Sequence, residues 1–408
     1  MDRMAGIDDY VAQNGAKLSA YFVELLRDLV AARTVNVVAA RLGEFPYLTE
    51  RGEETRAVEI IRTWAEKEGF ETETHARIPE RENIVLHYGE RSGSKLLVPG
   101  HTDVVPPGEG WDGDPFALRR NGDTVIGRGA TDDKGPLAAS MLALKILKDS
   151  GTQIAGDLQV GGLADEEATD QDGIDYGLVY MLENGLIDAD YAVVPDIGGN
   201  MRDIDIAEKG IVNFEIHARG RQAHGSTPEK GVNAIDGMAE YLLRLKEHRF
   251  QYEPHPVLGG YTVNVGQIEG GAAPNIVPGG CRAVIDMRIL PSQTVEGVKK
   301  ELLGLAEGLD CNFSIEVKMS HDPHEIEPDS KLIEGVKSAA RHVLGETPRT
   351  MGLGGGTYAK FLNHCGIEAV GFGPGSSDAM HMANESASIA EHLGFAHVLA
   401  VLAVELAG

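Results

Sequence analysis

Three short apolar runs, each ending in histidine or acidic side chains, constrain this chain more than any other feature. Leu96-Leu97-Val98 leads through Pro99-Gly100 to His101 and Asp103. Residues 158–163 lead to Ala164-Asp165-Glu166-Glu167, and residues 191–194 lead to Pro195-Asp196. Short apolar runs bounded by turn residues read as buried strands. Segments of helical spacing separate them. One is 135–148, with Leu137, Met141, Leu144 and Leu147 along one side, and another is 174–184. Strands alternating with helices predict an α/β domain with a largely parallel sheet. Ligands of such sheets bind at the carboxyl ends of the strands. The polar clusters therefore fall where a site belongs.

The rest of the chain predicts a first helix over 18–32 and a second within 49–69, closed by Gly69 as its C′ residue. Residues 83–88, 95–98 and 124–126 read as strands, and 111–116 as a turn-rich loop. Near Gly210 the rhythm changes. A strand over 211–218, a helix over 234–248, strands over 261–268 and 282–289, a helix over 295–309 and a strand over 313–319 follow. That β-α-β-β-α-β order is the split βαβ arrangement of a ferredoxin-like unit. The α/β rhythm then returns, with a helix over 331–344, a strand over 369–372 and a final amphipathic helix over 389–406. The expected organisation is an α/β domain (1–210 and 320–408) interrupted by an inserted α+β domain (211–319).

With 408 residues the chain has room for both domains. Its 37 basic and 63 acidic side chains give a formal charge of −26, which argues against nucleic acid and anionic membranes as partners. No apolar run is expected to reach membrane-spanning length, and residues 1–9 lack the apolar core of a signal peptide. Cys281, Cys311 and Cys365 are widely spaced and odd in number, so they read as free thiols of a cytoplasmic protein.

Two further polar clusters join the three strand ends. One is Arg128-Gly129-Ala130-Thr131-Asp132-Asp133-Lys134-Gly135, in a Gly-rich loop before a helix. The other is His381, before the last helix. Singly, each admits a bland reading as a turn, a solvated face or a satisfied histidine. Jointly they offer two histidines and several carboxylates at one sheet edge. A nitrogen and oxygen set without cysteine suits zinc, cobalt or manganese in a catalytic site.

The segments His-x-Asp-x-Val-Pro from His101, Gly-Arg-Gly-x-x-Asp-x-Lys-Gly from Gly127 and Asp-Glu-Glu from Asp165 occur in a telling order. In that order and context the chain resembles the dinuclear-zinc amidohydrolases. These include aminoacylase, carboxypeptidase G, acetylornithine deacetylase, succinyl-diaminopimelate desuccinylase and the carnosinase-type dipeptidases. The resemblance runs from His101 to Glu385. It implies a zinc-peptidase-like three-layer catalytic domain with an inserted ferredoxin-like lid and dimerisation domain.

It also implies two Zn2+ per subunit, with Co2+ or Mn2+ as alternatives. His101 and Asp196 would hold one ion, Glu167 and His381 the other, and Asp132 both, with a cis peptide after it. Asp103 would orient the His101 imidazole, and Glu166 would be the general base. His224, in Arg221-Gln222-Ala223-His224-Gly225-Ser226-Thr227-Pro228, would stabilise an oxyanion, acting across a homodimer formed by the inserted domain. Arg288, Asn275 and the backbone of Gly355, Gly356 and Thr357 would contact substrate. One departure is Asp196, which follows a proline where many relatives carry Glu before one.

The implied activity is hydrolysis of an amide in a dipeptide or N-acyl amino acid. Segments 354–360 and 131–136 favour the dipeptidase type. The alternatives are a biosynthetic deacylase of acetylornithine or succinyl-diaminopimelate, and a zinc-dependent peptide-binding protein without catalysis. His321 and His324 have no expected role.

Overall fold

The strand Lys95–His101 lies in the middle of a mixed sheet. The computed structural model describes residues 3–37, 39–167 and 175–408. It divides the chain into two units. One is Met1–Ile206, Ile326–Thr350 and Thr357–Gly408; the other is Ala207–Glu325 with Met351–Gly356.

In the first unit the strand order is Glu71–Ala76, Glu82–Tyr88, Asp157–Leu163, Lys95–His101, Tyr191–Val194, Glu368–Gly371 and then Asp203–Glu208, which belongs to this unit as far as Ile206. The middle pairs are parallel. The outer pairs are antiparallel, so the sheet is parallel only in its centre. The cause is local: the short connection between Glu71–Ala76 and Glu82–Tyr88 can close a hairpin but cannot carry a parallel crossover. Strands Glu71–Ala76, Asp203–Glu208 and Arg349–Leu353 lack a long apolar run, so the sequence does not announce them.

Helices cover both faces of this sheet. Arg3–Ala31, Lys134–Asp149, Lys331–Leu344 and Ile389–Ala407 pack on one another. On the other side Leu97, Leu163 and Val194 meet Leu178, Tyr358 and Leu362 from the helices Leu178–Glu183 and Tyr358–His364. The helix expected over 174–184 is thus shorter, and Ile174 lies outside the described residues. The first helix starts at Arg3, not at residue 18. Its polar amino-terminal half hides the period, but Ile7 is fully buried. Asp8 also accepts hydrogen bonds from His342 (2.9 Å) and His397 (2.8 Å) of two other helices.

The last helix corrects two expectations. Ile389–Ala407 is not amphipathic: Phe395, Val398, Leu399, Val401 and Leu402 are all fully buried. With a mean hydropathy of 1.6 it is also long and apolar enough to cross a membrane. Most of it is enclosed by its neighbours, which is the behaviour of a central core helix.

The second unit carries four antiparallel strands in the order Thr262–Gly270, Gly280–Ile289, Gly210–Arg219, Asn312–His321. In chain order these are the second, third, first and fourth, the ferredoxin-like arrangement. Helices Ala234–Glu247 and Val295–Gly304 bury Met238, Tyr241, Leu245, Val298 and Leu302 against Phe214, Ile216, Ile285 and Met287. The unit is a little wider than 211–319, and the segment Met351–Gly356 joins it. The edge strand Thr262–Gly270 leaves Val265 and Ile268 exposed. Cys281, Cys311 and Cys365 are free thiols.

Candidate metal centre

Lys95–His101, Asp157–Leu163 and Tyr191–Val194 are neighbours in the sheet, and they point the same way. Their carboxyl ends therefore deliver His101, the Asp165–Glu167 turn and Asp196 to one edge. The loop after Thr124–Ile126 brings Asp132 to that edge just before the helix Lys134–Asp149, and the Asp132–Asp133 peptide is cis. His381 comes from the loop preceding the last helix.

These side chains converge. His101 Nε2 lies 2.9 Å from Asp132 Oδ1. His381 Nε2 lies 3.0 Å from Asp132 Oδ2 and 2.6 Å from Glu167 Oε1. Asp132 thus turns one oxygen to each imidazole. Ligand atoms of His101, Asp132 and Glu167 all fall within 4.8 Å of one another, as do those of His101, Glu166 and Asp196.

The charge is concentrated and poorly solvated. Burial, reinforced by Glu167, Asp103 and Asp132 and opposed by His101, pushes Glu166 up to about 8. Burial and the charges of Asp132 and Glu166 raise Asp196 well above the carboxylate range. Asp132 is buried too, but hydrogen bonds from His101 and His381 outweigh that and hold it low. Asp132 and Glu167 in turn raise His381 to about 10. A buried excess of carboxylate facing two imidazoles, without sulfur, fits divalent cations of the zinc, cobalt or manganese kind.

Asp103 has more work than its expected one. His101 Nδ1 lies 3.0 Å from the Asp103 main-chain oxygen and 3.4 Å from its carboxylate. The Asp103 carboxylate accepts the Glu166 N–H (3.1 Å) and the Glu167 N–H (2.9 Å). It fixes the backbone of the turn as well as facing the imidazole.

Glu385 is a support that sequence reasoning missed. Its carboxylate accepts the N–H groups of Gly129 (3.1 Å), Thr131 (2.8 Å) and Asp132 (3.0 Å), and pairs with Arg128 at 2.6 Å. The only signal was that Arg128 lies in the Gly-rich segment and that Glu385 ends the stretch of resemblance. Tyr358 was missed too. Its buried hydroxyl has no hydrogen-bond partner among the described residues. Burial first, then the charges of Glu166 and Asp103, raise it well above the phenol range.

Gly135 shows how tightly the Asp132 loop is packed. A Cβ there would lie 2.0 Å from the Ala130 carbonyl oxygen and 2.9 Å from His392 Nε2. Gly135→Ala is expected to destabilise the protein by about 3 kcal/mol, the upper range for overpacking, because the obstacle is backbone. Chemical denaturation checks this; an unchanged midpoint would show that the loop can yield.

The remaining expected residues lie mainly in the second unit. His224 is exposed, and its Nδ1 accepts from Ser226 N–H (3.1 Å) beside the Ser226 hydroxyl (2.8 Å). Asn275 is exposed next to it, its carbonyl accepting the Gly225 N–H at 2.8 Å. Arg288 pairs with Asp286 at 2.8 Å and approaches the Gly354 carbonyl at 3.4 Å. Gly354, Gly355 and Gly356 are exposed, and none has a left-handed φ, so they lack the alternating backbone of an anion nest. Thr357, in the first unit, caps the helix Tyr358–His364 by accepting the Ala359 N–H at 3.1 Å. His324 lies buried 3.7 Å from Glu208.

The chain is similar to several known proteins. The acetylornithine deacetylase of Proteus mirabilis is 30% identical over 378 residues, covering 89% of this chain and 91% of its own. The succinyl-diaminopimelate desuccinylase of Nitratiruptor sp. is 29% identical over 309 residues, covering 75% and 83%. Among solved structures, the aminopeptidase PepT of Bacillus cereus superposes with a TM-score of 0.74 at 20% identity, covering 96% of this chain and 99% of that one. The pattern of peptidase family M20/M25/M40 matches residues 97–405, from the strand that carries His101 to the final helix, and the chain belongs to that family.

Proposed function

We propose that this metallohydrolase cleaves an amide C–N bond in a small, carboxylate-bearing substrate, a dipeptide or an N-acyl amino acid, with dipeptides preferred. The observation that carries this reading is Asp132, with one oxygen toward His101 and the other toward His381, beside Glu166. Two zinc ions, with cobalt or manganese as substitutes, fit this set. His101 and Asp196 would hold one, Glu167 and His381 the other, and Asp132 both. When bound, such ions polarise a carbonyl and bring the pKa of a coordinated water from roughly 15.7 to about 7.

Glu166 takes the proton of the attacking water and passes it to the leaving nitrogen. Asp103 and Glu385 hold the turn and loop that present Glu166, Glu167 and Asp132. His224 accepts at Nδ1, so its proton sits on Nε2, which suits it to donate to an oxyanion. Arg288 and Asn275 are proposed contacts for the substrate carboxylate and carbonyl, with backbone N–H groups of Gly355, Gly356 and Thr357 as further donors. A deacylase reading is favoured by the two curated relatives above and takes the same chemistry. The zinc-loaded protein should hydrolyse members of a panel of dipeptides, N-acyl amino acids, acetylornithine and succinyl-diaminopimelate. Activity on none of them would defeat the reading.

The inserted unit is proposed as a lid and dimerisation domain, with His224 acting on the partner's substrate. The exposed edge strand Thr262–Gly270, with Val265 42% and Ile268 57% exposed, supports pairing between copies. His224→Ala is expected to lower kcat by about 10²- to 10³-fold. Mixing it with Glu166→Gln should restore activity in heterodimers. A monomer by light scattering, or no recovery on mixing, would refute action in trans.

A further inference from the structure

We propose that Asn36, Glu54 and Arg81 form a buried positioning layer. It sets the backbone of the Asp165–Glu167 turn, and so separates the placement of Glu166 from that of Glu167. The inference rests on the reading of Glu166 as base and Glu167 as metal ligand. None of the three residues belongs to the motifs that define the centre.

The side chains of Arg81 and Glu54 are 4% and 0% exposed, and Asn36 is 4% exposed. Arg81 donates to Asn36 Oδ1 and to Glu54 Oε2. Asn36 Nδ2 donates to Glu54 Oε1 at 2.5 Å, and it also faces Asp103 Oδ2 at 3.3 Å and Asp165 Oδ1 at 3.5 Å. Glu54 Oε1 accepts the Asp165 N–H at 3.2 Å. Asp103 then accepts the next two N–H groups of the turn, those of Glu166 and Glu167. Three consecutive backbone donors are thus held by two carboxylates, and Asn36 joins those carboxylates.

Two physical points make this more than core filling. First, Asp165 has φ +65°. A non-glycine residue in the left-handed region persists only where its surroundings over-determine it. Glu54 on its N–H and Asn36 beside its carboxylate supply that constraint. The unusual backbone lets consecutive residues Glu166 and Glu167 face different groups: Glu167 meets His381, and Glu166 stands with His101 and Asp196. Second, the layer is ionic where an apolar one would be cheaper to bury. Burial and the charge of Asp103 push Glu54 up, and the Arg81 guanidinium opposes that rise. Uncharged partners would accept the same N–H groups less strongly.

The test uses full-length protein loaded with cobalt, whose visible d–d spectrum reports ligand geometry. The variants are Glu54→Gln, which keeps the shape and removes the charge, Asn36→Ala, and Arg81→Lys, which keeps the charge and loses the fork. Each is expected to weaken cobalt binding at one of the two sites by about 10- to 100-fold and to alter the spectrum. Each should also lower kcat by a similar factor, with KM changed less than about threefold. Arg81→Lys should lose least.

A purely structural role predicts a lower melting temperature with unchanged cobalt affinity, spectrum and kcat in the folded fraction. That result overturns the proposal. If Asn36→Ala does not fold, Glu54→Gln decides alone. If the wild type hydrolyses no amide, the functional reading fails, but the cobalt titration still reports the placement of Glu167.

Discussion

Glu166→Gln will lower kcat by about 10²- to 10⁴-fold while the metal content of the protein stays at its wild-type level. Glutamine matches glutamate in size and can still accept a hydrogen bond, but it cannot take a proton. The Glu166 backbone N–H still bonds to Asp103 at 3.1 Å, so the turn that carries Glu167 keeps its anchor. In the wild type, burial and three neighbouring carboxylates push Glu166 up to about 8. Bound cations would draw it back toward neutrality, where a general base works best. Removing one carboxylate from this crowd also lessens repulsion, so the fold should not suffer. Metal analysis and steady-state kinetics on the same preparation check the prediction. Retained turnover would refute the base; lost metal would show that Glu166 is a ligand.

The strand-end position of Glu166 was legible because its signal is local. An apolar run closes there in three acids at a strand end, and His101 and Asp196 likewise follow apolar runs, so their placement at one sheet edge could be read from local sequence while their roles came from the resemblance. Gly69 was legible for a similar reason: it closes the helix Glu54–Glu68 at φ +73°, as its position predicts. What stayed hidden is long-range. Arg128 and Glu385 are 257 residues apart, and nothing in either local sequence announces the pair. Asn36, Glu54 and Arg81 meet only because a loop, a helix start and a hairpin end are folded together. The strand Glu71–Ala76, reading Glu-Thr-Glu-Thr-His-Ala, is polar because it lies on an edge. Ile389–Ala407 failed the amphipathic expectation for the opposite reason. It is surrounded, so it has no solvent face to mark.

Asp132→Asn is expected to leave at most one metal ion per chain and to lower activity by roughly 10³-fold or more, the scale of the several kcal/mol a Lewis acid supplies. The substituted residue would keep its backbone N–H on Glu385, so the loop should hold its course. What it loses is the negative charge shared between two positions. An amide has one oxygen to offer and turns an NH2 toward the other imidazole.

The metal-free protein gives an independent readout. Asp132 is the largest cause of the raised His381 pKa of about 10, with Glu167 next. In the variant, His381 should titrate at lower pH, which NMR of the imidazole can follow. The stability effect should also depend on metal. Without metal, Asn gives up the hydrogen-bonded charge pairs with His101 and His381 that hold Asp132 low, so the variant should melt somewhat earlier than the wild type. With zinc, the wild type gains stability by mass action, and the variant gains far less. A stability deficit no larger with zinc than without it would mean that Asp132 only supports the loop. A variant that keeps two ions would mean that the two sites do not share a carboxylate.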